Sequence, residues 1–463
     1  MEDLLRPIVD AGLRKGASFC EARFFEGRSN SISIENGIAK GLSSGIVRGV
    51  GVRVIVEGRW GFASTNVLTR DSLEGGLDDA LGAARSIAHS AGEAAVVAEQ
   101  RPTVDTVVHK AKRSPEDVGI EEKVSRAVEI EREAGTYSDR VKDTFVNYYD
   151  GLTTVAVCNS FGTCIEETAP RAFMSCRVIS REGNNMQVGY ESVGAVTGYE
   201  IIDSIQPGEF SARAAQKAVR LLSAKAPPGG TLTTVLDQRV GALFVHEAFG
   251  HNCEGDSVFG GQSIVSDKMG KNVASDLVTI VDDPTLTGNG YFAYDHEGTR
   301  AEPHMIVEHG ILTGFLHSLE SAARLGSTPH GSARAQSHQF LPIVRMSNTC
   351  IANGDMNLGE ILEDVELGIY LSGSMYGYVE TQKGQFTCKV EEGWLIDRGE
   401  LTDHLRDVAI SGLTLDALRN ITAVGKDFKI DAPGMCGKNA QSVAVDGGSP
   451  HVRIEGIVVG GRQ

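Results

Sequence analysis

The stretch APPGGTLTTVLDQRVGALFVHEAFGHNCEGD, residues 226–256, decides how this chain is organised. Ala226-Pro227-Pro228-Gly229-Gly230 is its strongest break, because consecutive prolines stop a helix and paired glycines free the backbone. We place a domain boundary there, dividing the 463 residues into 1–226 and 227–463. Thr231 to Leu236 then reads as a strand, with Asp237 as the cap of an apolar helix from Arg239 through Val245. Two imidazoles, a glutamate and a thiol follow between His246 and Cys253.

Working backward, Leu4, Leu5, Ile8, Val9 and Leu13 recur at helical spacing from about Asp3. From Phe19 to about Val67, alternating apolar residues broken by Asn36-Gly37 and Glu57-Gly58 predict antiparallel hairpins. Leu73 to Ile87 predicts a second helix with Asp71 near its start as cap. Ser114-Pro115-Glu116-Asp117 reads as the entry of a third, carrying Ile120, Val124, Ala127 and Val128 inward. Strands return between about Val141 and Val196, and a fourth helix spans about Glu209 to Leu222. Beyond Ser257 the pattern is glycine turns and short strands, with one helix from Leu358 to Tyr370. The class is therefore α+β: a helix-and-hairpin N-terminal domain, then a largely antiparallel β domain carrying the metal-site helix. Glycine agrees with this, at 55 of 463 or about 12% against a usual value of roughly 7%.

The balance of 44 basic and 61 acidic residues, net −17, repels phosphate backbones and anionic lipid, so nucleic acid and membrane surfaces are not expected partners. No apolar run approaches the roughly 18 residues of a membrane span. Met1-Glu2-Asp3 opens an acidic segment, unlike the basic start of a signal peptide, so a cytoplasmic location is expected. The eight cysteines are scattered without a C-x-x-C pair and read as reduced thiols, one of them a candidate metal ligand.

Neutral imidazole and thiolate are good zinc ligands, and a glutamate beside a ligand histidine can take a proton from water, as metal-assisted hydrolysis requires. His246, Glu247 and His251 thus point to hydrolysis. Their spacing is unusual, because zinc-protease helices carry histidines four apart and here the separation is five. On an ideal α-helix the two side chains would differ by roughly 140°. A π turn, or a helix end at Gly250 with altered dihedrals, would bring them together. A third ligand is also needed. Cys253, Glu254 and Cys436, the last between Gly434-Met435 and Gly437-Lys438, are the candidates that spacing leaves open.

At these residues the chain resembles the TldD/PmbA family of metallopeptidases, and its TldD side, whose H-E-x-x-x-H signature stands here as HEAFGH. Similar landmarks are Asp295-His296-Glu297-Gly298-Thr299, Ile306 to Leu312, Arg345-Met346-Ser347-Asn348-Thr349, Gly384-Gln385-Phe386 and GMCGKNAQ from Gly434 to Gln441. The resemblance implies zinc on His246, His251 and Cys436, with Glu247 as general base. It also implies a cytoplasmic protease that cuts unfolded peptides, bound as an added strand. Such a subunit pairs with a copy of itself or with a related chain lacking the metal motif. The alternatives are a dedicated peptide-maturation protease and a non-catalytic peptide-binding subunit with a structural metal.

Overall fold

The computed structural model describes residues 1–87 and 92–461. The first half contains α1 (Glu2–Arg14), β1 (Phe19–Glu35), β2 (Ile38–Val56), β3 (Arg59–Thr65), α2 (Arg70–Ser86) and β4 (Val104–Val108). After these come α3 (Ile120–Gly135), β5 (Val141–Asn159), β6 (Cys164–Glu182), β7 (Asn185–Ala195), α4 (Glu200–Asp203) and α5 (Pro207–Leu221). The strands form one sheet in the order β3-β2-β1-β5-β6-β4, with β7 also on β6. One face of it is covered by helices. Cys20, Ala22 and Phe24 pack with α1 and α2, and Ile32 and Ile34 further along β1 pack with α3 and α5. Side chains alternate along a strand, so the other face is left for the second half of the chain.

That half opens with β8 (Gly230–Leu236) and α6 (Gln238–Phe244). One sheet joins β8 to Leu367–Glu380, Val452–Gly460, Ala409–Leu413, Gln385–Asp397 and Glu400–Leu405. A second contains Ile280–Asp282, His304–Glu308, Asn348–Ile351 and Gln441–Ser449, and the hairpin strand Gly434–Lys438 is paired to the last. Helix α6 packs on both Leu367–Glu380 and Gln441–Ser449, which places it between the sheets. Val240, Phe244, Val245, Ala248 and Phe249 are fully buried in that core. The chain is thus mixed α+β, and among the described residues no helix is long and apolar enough to cross a membrane.

The two halves are tied by buried charge. Arg53 of β2 donates to Glu21 Oε2 at 2.8 Å and to Glu297 Oε1 at 2.7 Å, and all three side chains are almost wholly buried. Glu297 also accepts the Leu319 N–H at 2.6 Å. Asp295, two residues earlier, accepts the backbone N–H groups of Glu297, Thr299 and Ala333. This landmark therefore builds a turn and a clamp.

Several local expectations are corrected. Thr69, not Asp71, caps α2, accepting the Ser72 N–H at 3.3 Å. Ser114 caps a single 3-10 turn, Pro115–Asp117, and α3 starts only after Gly119. The predicted helix Leu358–Tyr370 is a short helix, Leu358–Glu363, followed by the strand Leu367–Glu380. Ile369 and Leu371 fit both periodicities, and pairing of Gly368–Leu371 between β8 and Gln385–Asp397 selects the strand. The hairpin register sets Cys158 and Cys164 opposite each other across the β5–β6 turn, with Cα atoms 4.1 Å apart.

Candidate metal centre

Asp237 starts the metal-site helix, accepting the Val240 N–H at 2.8 Å, while its other oxygen takes Ser372 Oγ at 2.7 Å and the Gly373 N–H at 3.0 Å. The helix is therefore fixed to the neighbouring strand at its first turn. Residues Val245–Phe249 then widen into a π turn, and Gly250–Cys253 tighten into a 3-10 turn. π geometry aligns positions five apart. The His246 and His251 rings accordingly meet edge to face, with centroids 5.0 Å apart and planes at 86°. Gly250 serves a purpose other than the expected one. Its dihedrals are ordinary for a right-handed helix, φ −54 and ψ −48, but a Cβ there would lie 2.1 Å from Met346 Sδ. Close packing, not backbone freedom, demands the glycine.

Cys436 sits on the strand Gly434–Lys438, opposite Val443. One donor atom from each of His246, His251 and Cys436 lies within 4.8 Å of the others. Cys436 Sγ is 3.6 Å from His251 Nε2. Tetrahedral zinc with Zn–N of about 2.0 Å and Zn–S of about 2.3 Å sets two such ligands about 3.6 Å apart. Burial opposes ionisation of the Cys436 thiol, yet the neighbouring imidazoles outweigh it and draw the thiol down to about 4. The donor set fits zinc in both spacing and chemistry.

The other two local candidates lie elsewhere. Cys253 is fully buried in the apolar core, and burial pushes its thiol up. Glu254 Oε2 sits 3.0 Å from His251 Nδ1, the ring nitrogen away from Cys436. An acceptor there fixes the tautomer that leaves Nε2 free to ligate. Despite burial, Lys438 and His251 hold the Glu254 carboxyl down to about 2. Lys438 Nζ lies 3.2 Å from Glu254 and 2.6 Å from Asp256. Lys438 follows Cys436 by two positions on one strand, so both point to the same side and grip the same loop. Arg345, fully buried, donates to the Cys436 carbonyl and anchors that strand from behind. Sequence reasoning quoted both residues within landmarks without giving either a role. The alternation after Cys436 could have revealed Lys438, whereas nothing local marked Arg345.

His246 and Glu247 open on a cavity of about 1040 Å³ between the free face of the first sheet and the second half. Tyr149, Val155, Glu167 and Arg171 line it from β5 and β6, and Ser374 to Gly377 and Pro433 to Met435 line it from the other side. A Cβ on Gly377 would lie 2.3 Å from Glu247 Cγ, so this glycine lets its strand pass directly over the glutamate.

Residues 229–461 match the PmbA/TldA metallopeptidase C-terminal domain, 20–88 match domain 1, and 113–222 match the central domain. This chain belongs to the TldD/PmbA family of metallopeptidases. A relative described as a metalloprotease, from Methanothermobacter thermautotrophicus, is 38% identical over 96% of this chain and 95% of its own. Another, described as a zinc metalloprotease TldD homolog, from Saccharolobus solfataricus, is 28% identical over 96% of this chain and 97% of its own. Among solved structures, TldE from Thermococcus kodakarensis superposes with a TM-score of 0.79 at 16% identity, covering 98% of this chain and 99% of its own. A protein from Thermotoga maritima does so at 0.79 with 22% identity, covering 98% of each chain. These likenesses establish a TldD/PmbA fold along the whole chain.

Proposed function

We propose that this protein is a zinc-dependent peptidase that hydrolyses unfolded peptides admitted to the cavity between its halves. The observation that carries this reading is the convergence of His246, His251 and Cys436 beside a glutamate that opens on the cavity. Those three residues would hold zinc, which would supply Lewis-acid polarisation and lower the pKa of water. Glu254 keeps His251 oriented, and Lys438 and Arg345 hold the strand that presents the thiolate. Glu247 makes no hydrogen bond to the described residues, so its carboxylate is available to receive a proton from attacking water. It then returns that proton to the leaving amine nitrogen.

Peptide capture by strand addition is supported by the sheet edge. Leu367–Glu380 pairs with β8 only over Gly368–Leu371, so one edge of Ser372–Glu380 has no neighbouring strand among the described residues. Main-chain recognition of this kind tolerates varied side chains and favours unfolded substrates. Pairing with an identical or related subunit belongs to the same proposal, supported by exposed Ile38, Leu42, Ile46 and Val47 along β2.

The test is elemental analysis of the purified protein together with turnover of an unfolded peptide before and after chelation. We expect bound zinc, loss of turnover on chelation and recovery when zinc returns. Turnover by metal-free protein at the original rate would overturn the reading.

A further inference from the structure

Apart from Glu247, the acids that line the cavity already have partners among the described residues. Glu167 accepts the N–H groups of Ala293 and Tyr294 and faces His109. Glu391 pairs with Lys217 at 2.6 Å and Asp431 with Arg239 at 3.0 Å. Asp446 accepts three backbone N–H groups, from Asn289, Ala432 and Gly447. Three cavity-lining guanidinium groups make no ion pair with a carboxylate among the described residues: Arg177, which lies over the Phe145 ring at 4.3 Å, Arg171 and Arg334. Arg171 donates only through Nη1, to the carbonyl and side-chain oxygens of Asn289. Arg334 donates to the carbonyls of Ala444, at 2.7 Å, and Met346, and lies over the Phe292 ring at 5.0 Å.

A guanidinium has five N–H donors, so Arg171 and Arg334 each retain three. On Arg171 the spare donors include the whole Nε–Nη2 edge, the fork that grips a carboxylate with two parallel hydrogen bonds. Arg334 is only 6% exposed, and its Nε is buried without a partner. A buried charge in that condition is costly unless something pairs with it. Both groups are tied to the hairpin that carries Cys436, Arg334 directly and Arg171 through Asn289. Asn289, which seats Arg171, donates to Gly434 O at 2.9 Å and Val445 O at 3.1 Å, and Ala444, which Arg334 holds, pairs with Met435 next to Cys436.

We infer that Arg171 and Arg334 form a carboxylate-binding subsite in the cavity, which takes the carboxylate of a bound peptide, at its C-terminus or on an Asp or Glu side chain. The inference rests on the peptidase reading for the identity of the ligand. Burial lowers both guanidinium groups, Arg171 to about 10 and Arg334 to about 9, the latter with help from nearby Arg345. Each remains cationic at neutral pH. Arg334 holds the hairpin that carries Cys436 through the Ala444 carbonyl, and Arg171 reaches it through Asn289, so the subsite would fix where along a peptide the metal centre acts.

The test uses the full-length zinc-loaded Glu247→Gln protein, which is expected to bind without cutting. Four N-terminally labelled poly-alanine peptides are compared by fluorescence anisotropy: a free acid, its C-terminal amide, and amides carrying one internal Glu or Gln. Charge-assisted hydrogen bonds predict about 10- to 100-fold tighter binding of a carboxylate-bearing peptide than of its neutral counterpart. Preference for acid over amide assigns the chain terminus, and preference for Glu over Gln assigns a side chain. Adding Arg171→Gln or Arg334→Gln should erase the difference. Equal affinity for all four peptides, or no binding of any, would overturn the subsite, and so would a preference that survives both arginine substitutions. The four-peptide comparison does not depend on either variant folding. Failure of the peptidase reading would look different: no turnover of any peptide by wild-type protein, with the carboxylate preference intact.

Discussion

Cys436 Sγ lies 3.6 Å from His251 Nε2, although 185 positions separate the two residues in the chain. The imidazoles come from consecutive π and 3-10 turns, and the sulfur arrives on a hairpin formed near the end of the chain. The three candidate ligands therefore come together only once the second half has folded.

Replacing Cys436 by serine should abolish stoichiometric zinc, since a neutral hydroxyl cannot replace the thiolate. Mass-spectrometric metal analysis reads this directly, and unchanged zinc would remove Cys436 from the ligand set. Glu254→Gln should be milder, weakening zinc by about 10- to 100-fold in a competition titration, as expected when the partner of a ligand histidine is changed.

Glu247→Gln should keep its zinc and lose peptidase activity by about 100- to 10,000-fold, the usual worth of a positioned general base. Near-normal turnover in this variant would refute the role assigned to Glu247.

Gly377→Ala tests the approach of the strand over Glu247. The added methyl carbon would lie 2.3 Å from Glu247 Cγ, so the carboxylate must move. Small misplacements can cost about 100-fold. We expect kcat to fall by about that factor with zinc content unchanged. An unaltered kcat would mean that the position of Glu247 does not limit the reaction.

Glu200 provides a pH signature away from the metal. Burial alone would raise its carboxyl, but hydrogen bonds from its own backbone N–H, those of Lys112 and Arg113, and the Thr197 hydroxyl draw it from 4.5 down to about 2. A depressed folded-state value stabilises the protein above the unfolded value, and that contribution is lost as pH falls toward the folded one. Glu200→Gln should therefore melt at a lower temperature than wild type near neutral pH. The gap should narrow as pH falls from about 4.5 toward 2. A gap that is constant across this range would exclude the linkage.

Much of this architecture is legible in the residues themselves, where one periodicity dominates. Leu5, Ile8 and Val9 on α1, and Leu73, Leu77 and Leu81 on α2, have no sensible reading as strand. Ile369 and Leu371 satisfy two patterns, and only the strands beside them decide between the two. At the metal centre the five-residue interval already demanded a π turn or a break, because an ideal helix cannot make those rings meet. The reason for Gly250 was not accessible in the same way, since Met346 approaches from far along the chain. Arg171 and Arg334 were invisible as a pair, because what they lack is a carboxylate partner, and only the folded cavity displays that.

Arg53, held between Glu21 and Glu297, makes the two halves interdependent in a way the Pro-Gly connector conceals. A protease nick in that connector would cut the polypeptide without releasing its pieces. Each separated fragment would bare apolar residues now buried between the halves, such as Val157 and Ile165 beside Tyr294, and Phe19 and Ile55 beside Leu319, so co-expressed halves should find one another and reconstitute the cavity, while either expressed alone should be poorly soluble.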